Sequence, residues 1–441
     1  MIKFGFARED ITPVRGVPLS GYFEPRYNRG ARDPLAVKAA LFDDGSGVCG
    51  IVNYDLCGVP GKLCNRFIDA LQKNGIDFGK RLMFCATHTH TGPYTTESEH
   101  VDANYIDSLV ARTVTAVQRA AASLADAELL TGRTECSTLA FNRRFWMKNG
   151  GVLTNPGKLN PDIVGPEGPI DPEIPILAVR QDGLLRLIIA NISNHSDTIG
   201  EDLVSADWPG RMEREIQTAV GYDLPVIMMV ACQGNINHFN VKNAVNQTCY
   251  EEACRIGKGY AHEIISQLYA LTPIKADKIK VAETEIEIPY VQITDEEYAA
   301  AKATYDSIGE IKAACADDLT SEGLAKGNPY VLRHFAKRIM DCRDNPIKTR
   351  RVDRMITLQF GDELGIVSIP GEPFIEIQLA IKAKSRFALT MVGALALGYP
   401  GYIGMPESYA RGGGYETRPS PSAPAHDVAP KIIEKAIELL K

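Results

Sequence analysis

Apolar residues recur along this chain in short blocks of two kinds. Unbroken or alternating runs predict strands, and runs that return every three or four residues predict helices. Ala36–Asp43 and Val48–Asp55 read as a hairpin around Asp43-Asp44-Gly45-Ser46-Gly47. Further strands are expected at Arg81–Thr87, Ile174–Val179, Arg186–Ile192, Val226–Val230 and Ile279–Ile288, and again at Met355–Phe360, Glu363–Ile369 and Leu389–Leu397. Helices are expected at Lys62–Lys73, Ala103–Ala122, Trp208–Val220, Tyr250–Leu271, Pro373–Ala383 and Val428–Leu440. Asp295–Ala316 and Ser321–Met340 are helical and highly charged, and read as an insertion or lid over residues 295–340. Gly151–Pro172, rich in Pro, Gly and Asn, reads as a long ordered loop. No internal repeat and no interdomain linker stand out. The expected architecture is mixed α/β: one large domain over residues 1–441, with central mixed sheets flanked by helices.

Four of the apolar strands run straight into polar residues that carry chemistry. The first ends in Thr87-His88-Thr89-His90-Thr91-Gly92-Pro93. Residues two apart in a strand share a face, so His88 and His90 are expected to project together beyond the strand end. Two such imidazoles suit a metal, or one ligand and one acid/base group, and their plainer role is to cap a turn. Asn194-His195-Ser196-Asp197 repeats the pattern after a second strand. Gln233-Gly234-Asn235-Ile236-Asn237-His238 follows a third, where carboxamides orient a substrate or simply form a turn. Pro370-Gly371-Glu372-Pro373 follows a fourth; Glu372 is either a hard oxygen ligand or a carboxylate favoured by a helix N-terminus. The closing loop offers Tyr399, Tyr402 and Tyr409 on a Gly-rich frame.

Composition narrows the field. A 45% hydrophobic, 23% charged chain with net charge −7 and dispersed Lys and Arg argues against nucleic-acid binding. The N-terminus lacks the layout of a signal peptide, and no apolar run reaches the roughly 20 residues that span a bilayer. Ten cysteines at irregular spacing, several within strand-like runs, fit free thiols in a reducing cytoplasm. HExxH, GxSxG, GxxxxGK[ST] and a strand-borne GxGxxG are absent, which disfavours zincins, α/β-hydrolases, P-loop enzymes and Rossmann dehydrogenases.

Taken in order, the motifs resemble the catalytic domain of the neutral ceramidase family. The likeness runs from Phe6-Ala7-Arg8-Glu9-Asp10-Ile11-Thr12-Pro13, Gly21-Tyr22 and Asp33-Pro34-Leu35 through the His88 motif, Asn142-Arg143-Arg144 and Asn194-His195. It continues through Ser205-Ala206-Asp207-Trp208-Pro209-Gly210, Gln233-Gly234-Asn235, Pro370-Gly371-Glu372, Gly401-Tyr402-Ile403, Glu407-Ser408-Tyr409 and Tyr415-Glu416. The resemblance implies one zinc ion per chain, held by His88, His195, Glu372 and Tyr409, with Tyr415 the competitor for the phenolate position. It further implies His90 as acid/base and Arg143 as catalytic and substrate-binding, with Arg144, Asn235, Asn240 and Tyr415 also contacting substrate. Asp207 is expected either to orient a ligand histidine or to cap the next helix. The chain departs from the family where its serine and acidic residue become Asn240 and His238, and in ending soon after Tyr409, without an immunoglobulin-like domain.

The expected activity is therefore zinc-dependent hydrolysis of a small soluble amide by a zinc-activated water. Hydrolysis of an ester, lactone or carbohydrate linkage is the alternative within enzymes, and metal or ligand binding without catalysis the alternative outside them. The expected partner is a small-molecule substrate, with no nucleic acid and no membrane insertion; monomer and homo-oligomer both stay open.

Overall fold

The computed structural model describes residues 2–22, 25–96, 98–312, 323–324, 326–345 and 350–441. Its main sheets are three variations on one strand order. Lys3–Asp10, Ala36–Asp43 and Val48–Tyr54 pair antiparallel, and Leu82–Ala86 then lies parallel to Val48–Tyr54. Glu128–Glu135, Glu173–Gln181 and Leu184–Ile192 repeat this, with Val226–Val230 as the parallel strand. Ile279–Pro289, Arg350–Phe360 and Leu364–Ser368 do so again, with Leu389–Gly393. A parallel neighbour needs a crossover. Helices Gly61–Lys73, Asp207–Val220 and Ile375–Lys384 supply the three crossovers. Each unit closes with a further helix: Ala103–Ala122, Tyr250–Gln267 and Val428–Leu439.

The expectation of no internal repeat is thus corrected. The repetition lies in strand order and pairing, and leaves no run of matching residues for the sequence to display. The parallel pairs are buried on both faces, which is why Leu82–Ala86, Val226–Val230, Leu364–Ser368 and Leu389–Gly393 are wholly buried. The pairs meet at the centre. Asn191 donates to the carbonyls of Met229 (2.9 Å) and Val392 (3.0 Å) and accepts from the Val392 amide (2.9 Å). Ala394 N donates to Val230 O, and Leu397 N to Phe84 O, both at 2.9 Å. The carboxyl ends of strands from all three units therefore open onto one region.

Most expected elements form within a few residues of their predicted bounds. The Lys3–Asp10 and Glu128–Glu135 strands were not predicted. Gly151–Pro172 is not a plain loop: Val152–Thr154 and Ile163–Pro166 flank Arg144–Met147 in a small sheet. The charged insertion joins Ile279–Pro289 to Arg350–Phe360 and contains helices Asp295–Ile308 and Pro329–Asp344. They are tied by Arg343–Asp295 (2.6 Å) and by the Tyr298 hydroxyl donating to Asp344 (2.9 Å). Of the expected helices here, residues 313–316, 321–322 and 325 lie outside the described residues.

Candidate metal centre and cavity

His88 reaches the centre by a turn and not by strand alternation. The strand ends at Ala86, and His88 adopts a left-handed backbone, φ 72°. Its Nδ1 lies 2.6 Å from the Cys57 carbonyl. A carbonyl only accepts, so Nδ1 carries the hydrogen and Nε2 keeps its lone pair when the ring is neutral. His195 repeats this logic, with Nδ1 2.7 Å from the Ile236 carbonyl. Both Nε2 atoms point at Oε2 of Glu372, each at 3.2 Å. Oε2 has no hydrogen-bond partner, whereas Oε1 accepts from the Tyr399 hydroxyl at 2.7 Å.

Two lone-pair nitrogens and a carboxylate oxygen facing one another, all buried, repel unless a cation or proton lies among them. Ligand atoms bound tetrahedrally to zinc at about 2.0–2.1 Å sit roughly 3.3 Å apart, which fits these separations. Among the described residues, this trio is one of two groups with metal-binding spacing; the other is Cys57, His88 and His90. Burial pushes Glu372 up, but His88 and the two imidazole contacts outweigh it and hold the carboxyl well below its usual range. His195 is pulled down to about 3 by burial and by the Arg143 guanidinium. For His88, burial is outweighed by Glu372 and Cys57, and the ring is raised. The Glu372 and His88 shifts both favour a carboxylate paired with positive charge at the trio.

His90 stands beside the trio, its Nε2 3.3 Å from His88 Nε2. Its Nδ1 is 3.2 Å from Asp197 Oδ1, which also accepts from the Tyr22 hydroxyl at 2.7 Å. Burial raises Asp197, but His90 and Tyr22 together hold it far below the ordinary carboxylate range. Gly21 is required here: its φ is 102°, and a Cβ would overlap the His90 ring. Asp207 acts on the loop and not on a ring. Its carboxylate accepts from the Thr198 amide (2.9 Å) and hydroxyl and from Trp208 N (2.6 Å), while Trp208 Nε1 donates to His195 O at 2.8 Å.

Arg143 is buried against the centre. Nη1 is 3.4 Å from His195 Nε2, Nη2 donates to Gly234 O at 2.6 Å, and Nε pairs with Glu416 at 2.9 Å. The rings of Tyr402 and Tyr415 lie 5.4 and 5.2 Å from its guanidinium carbon. The other expected substrate contacts divide. Tyr415 lines the cavity. Arg144 is fully buried and bound by Glu416 (3.2 Å), Glu167 and the carbonyls of Gly412 and Gly413, so it braces the closing loop. Asn235 accepts from Ile375 N (2.8 Å) and donates to Glu376 (3.0 Å), fastening the second unit to the third. Asn240 serves its own turn, its side chain accepting from Lys242 N (3.0 Å) and its amide donating to Gln247 (2.7 Å).

Tyr409 is not set against the trio. Its hydroxyl accepts from Gly404 N at 3.0 Å and donates to Tyr402 O at 3.3 Å, and its ring stacks on His426. The phenols nearest Glu372 are Tyr399, bonded to it, and Tyr402, its partner in a short parallel ladder. That ladder carries two residues and has no periodicity to read, so the sequence could not rank these tyrosines. Asp197, Tyr399 and Glu416 stood within motifs read from the sequence but were given no role as partners of His90, Glu372 and Arg143.

The trio opens onto a cavity of 1420 Å³. Its walls include Tyr22, His90, Arg143, Asn237 and Tyr402, together with Phe335, Arg338 and Arg418. The whole fold is matched by two solved structures. The crystal structure of neutral ceramidase from Pseudomonas aeruginosa superposes with TM-score 0.72 at 18% identity, over 100% of this chain and 74% of that one. A ceramidase complexed with C2 gives TM-score 0.70 at 20% identity, with the same two coverages. No family model and no curated protein matches the sequence. The fold is that of the neutral ceramidase structures, as the motifs implied. At these identities the likeness shows the fold, and chemistry has to be argued from the site.

Proposed function

We propose that this protein is a metal-dependent hydrolase that cleaves the amide bond of a small soluble substrate, with zinc as its metal. The observation that carries this reading is the buried convergence of His88 Nε2, His195 Nε2 and Glu372 Oε2 at the floor of a large cavity. These three residues would hold the ion, with Tyr402 as the adjoining phenol. When bound, zinc supplies a Lewis acid and a water of pKa about 7.

The remaining work falls to the chain's own residues. His90, backed by Asp197 and Tyr22, presents Nε2 at the trio and is placed to give a proton to the leaving amine, a contribution of about 10²–10⁴-fold. Arg143, held by Glu416 and Gly234, keeps a fixed positive charge beside His195, where a carbonyl oxygen gathers negative charge. The cavity exceeds the roughly 300–1,000 Å³ of common ligand sites and gives the substrate room on both sides of its amide. A reducing cytoplasm is the proposed location, in keeping with fully buried Cys85 and Cys232 used as apolar packing. No helix among the described residues is long and apolar enough to cross a membrane.

The test is a set of matched amide and ester substrates given to protein whose metal content has been measured. Amide turnover that depends on metal supports the reading. Turnover confined to esters transfers the site to another bond, and bound zinc without any turnover leaves a binding protein.

A further inference from the structure

Most cations on the cavity wall already have partners. Arg26 donates to the carbonyls of Glu201, His90 and Ser20, Arg143 pairs with Glu416, and Lys158 Nζ donates to Val245 O at 2.6 Å. Arg338 and Arg418 differ. Among the described residues neither guanidinium forms a hydrogen bond or an ion pair, and Arg418 Nε is buried without an acceptor. The two belong together. Phe335 and Arg338 are three residues apart on one helix and share its face, and the Arg418 guanidinium carbon lies 5.2 Å from the centre of the Phe335 ring. Burial disfavours the charge on both.

Half-buried, unpaired guanidinium groups lose hydration without recovering it from the protein. An anion seated between them would restore it through charge-assisted, bidentate hydrogen bonds. Beside the trio the carboxylates of Glu372, Asp197 and Glu416 are mixed with the Arg143 guanidinium, which Glu416 and Gly234 already engage. Tyr399 links the two groups of residues, bonded to Glu372 and within the electrostatic reach of Arg338. We infer that Arg338 and Arg418 form an anion subsite, so that the substrate is an amide carrying a carboxylate or phosphate-type group remote from the bond cleaved. This rests on the proposed hydrolase function for the identity of the amide, though not for the binding of the anion. An anion held by the two guanidinium groups orients the molecule, with its amide toward the trio.

The test is calorimetric titration of N-acylglycines and N-acyl-aminomethylphosphonates of short, medium and long acyl chain, each beside its neutral N-acylglycinamide. Full-length wild type, Arg338→Met, Arg418→Met and the double variant are compared, with Arg338→Lys as the charge-retaining control. At least one anion is expected to bind ~10-fold or more tightly than its neutral partner, as two charge-assisted contacts warrant, and to lose that margin in the double variant. The margin also shrinks with added salt in wild type. The acid and phosphonate arms tell the two anion types apart. Equal binding of neutral and anionic members in wild type, or a margin that survives in the double variant, overturns the subsite. If the double variant does not fold, the wild-type salt dependence and the single variants decide on the same terms. Anion preference without turnover of any amide supports the subsite and counts against the hydrolase reading; amide turnover with no anion preference does the reverse.

Discussion

The Nε2 of His88 and the Oε2 of Glu372 stand 3.2 Å apart although most of the chain separates them in sequence. Each comes from the end of a parallel strand pair, one in the first unit and one in the third, and His195 from the second unit closes the triangle. Every ring nitrogen not aimed at this point is engaged by a backbone carbonyl, which fixes the rings before any ligand arrives.

The proposed ligands are tested by their removal. His88→Ala, His195→Ala and Glu372→Ala are each expected to lose zinc, measured by mass spectrometry on protein purified without chelator or affinity nickel. His90→Ala is expected to keep zinc and lose about 10²–10⁴-fold in rate. Zinc loss in His90→Ala equal to the other three would make His90 a ligand.

The tyrosines separate in the same assay. Tyr402→Phe is expected to weaken metal retention about 10–100-fold against a competing chelator, as partners of ligating groups commonly do. Tyr409→Phe, its hydroxyl occupied by Gly404 and Tyr402, is expected to retain metal as wild type does. The opposite ranking would restore Tyr409 to the site.

Gly21→Ala tests the packing around His90 without touching any titratable group. The added methyl group displaces the imidazole, and the left-handed backbone at φ 102° adds strain of about 1–3 kcal/mol. The expected result is a fall in kcat with zinc content unchanged. Unaltered kcat would mean that the ring position is unimportant to the reaction.

Away from the site, Lys38 is buried and paired with Glu213 at 2.6 Å, joining the first sheet to the second unit's crossover helix. Lys38→Met leaves the carboxylate only Arg8 at 3.8 Å and the Val226 amide, and is expected to cost about 3–5 kcal/mol in urea unfolding, with Glu213→Leu recovering most of it. Burial lowers the Lys38 ammonium but Glu213 and Asp55 raise it further, so its folded pKa lies above 10.5. The stability it gives is complete below that value and is lost as pH rises through the folded one. Lys38→Met should flatten that alkaline decline.

Periodicity made most strands and helices legible, because the parallel pairs are buried on both faces and read as unbroken apolar runs. It also located His88, His195 and Glu372, since each follows such a run. It gave the wrong reason for the convergence of His88 and His90, which depends on the left-handed turn at His88. Arg144, Asn235 and Asn240 were expected at the substrate because the family resemblance implied it. The side chains of Arg144 and Asn235 are taken up by Glu167 and Glu376, partners fixed by tertiary packing and invisible to local pattern, and the Asn240 side-chain oxygen by Lys242 N in its own turn. The threefold strand order went unread because it is shared by pairing and not by residues.

That threefold order has a consequence for how the protein is made. A nascent chain leaves the ribosome N-terminal end first, at about 5–20 residues per second, and its early parts begin to fold. The first unit presents one imidazole, the second another, and neither alone offers more than a single donor to the triangle. The carboxylate arrives only with the third sheet. The proposed zinc site would then be completed late in biogenesis, when Glu372 joins the two histidines, whereas the Cys57, His88 and His90 group is complete within the first unit.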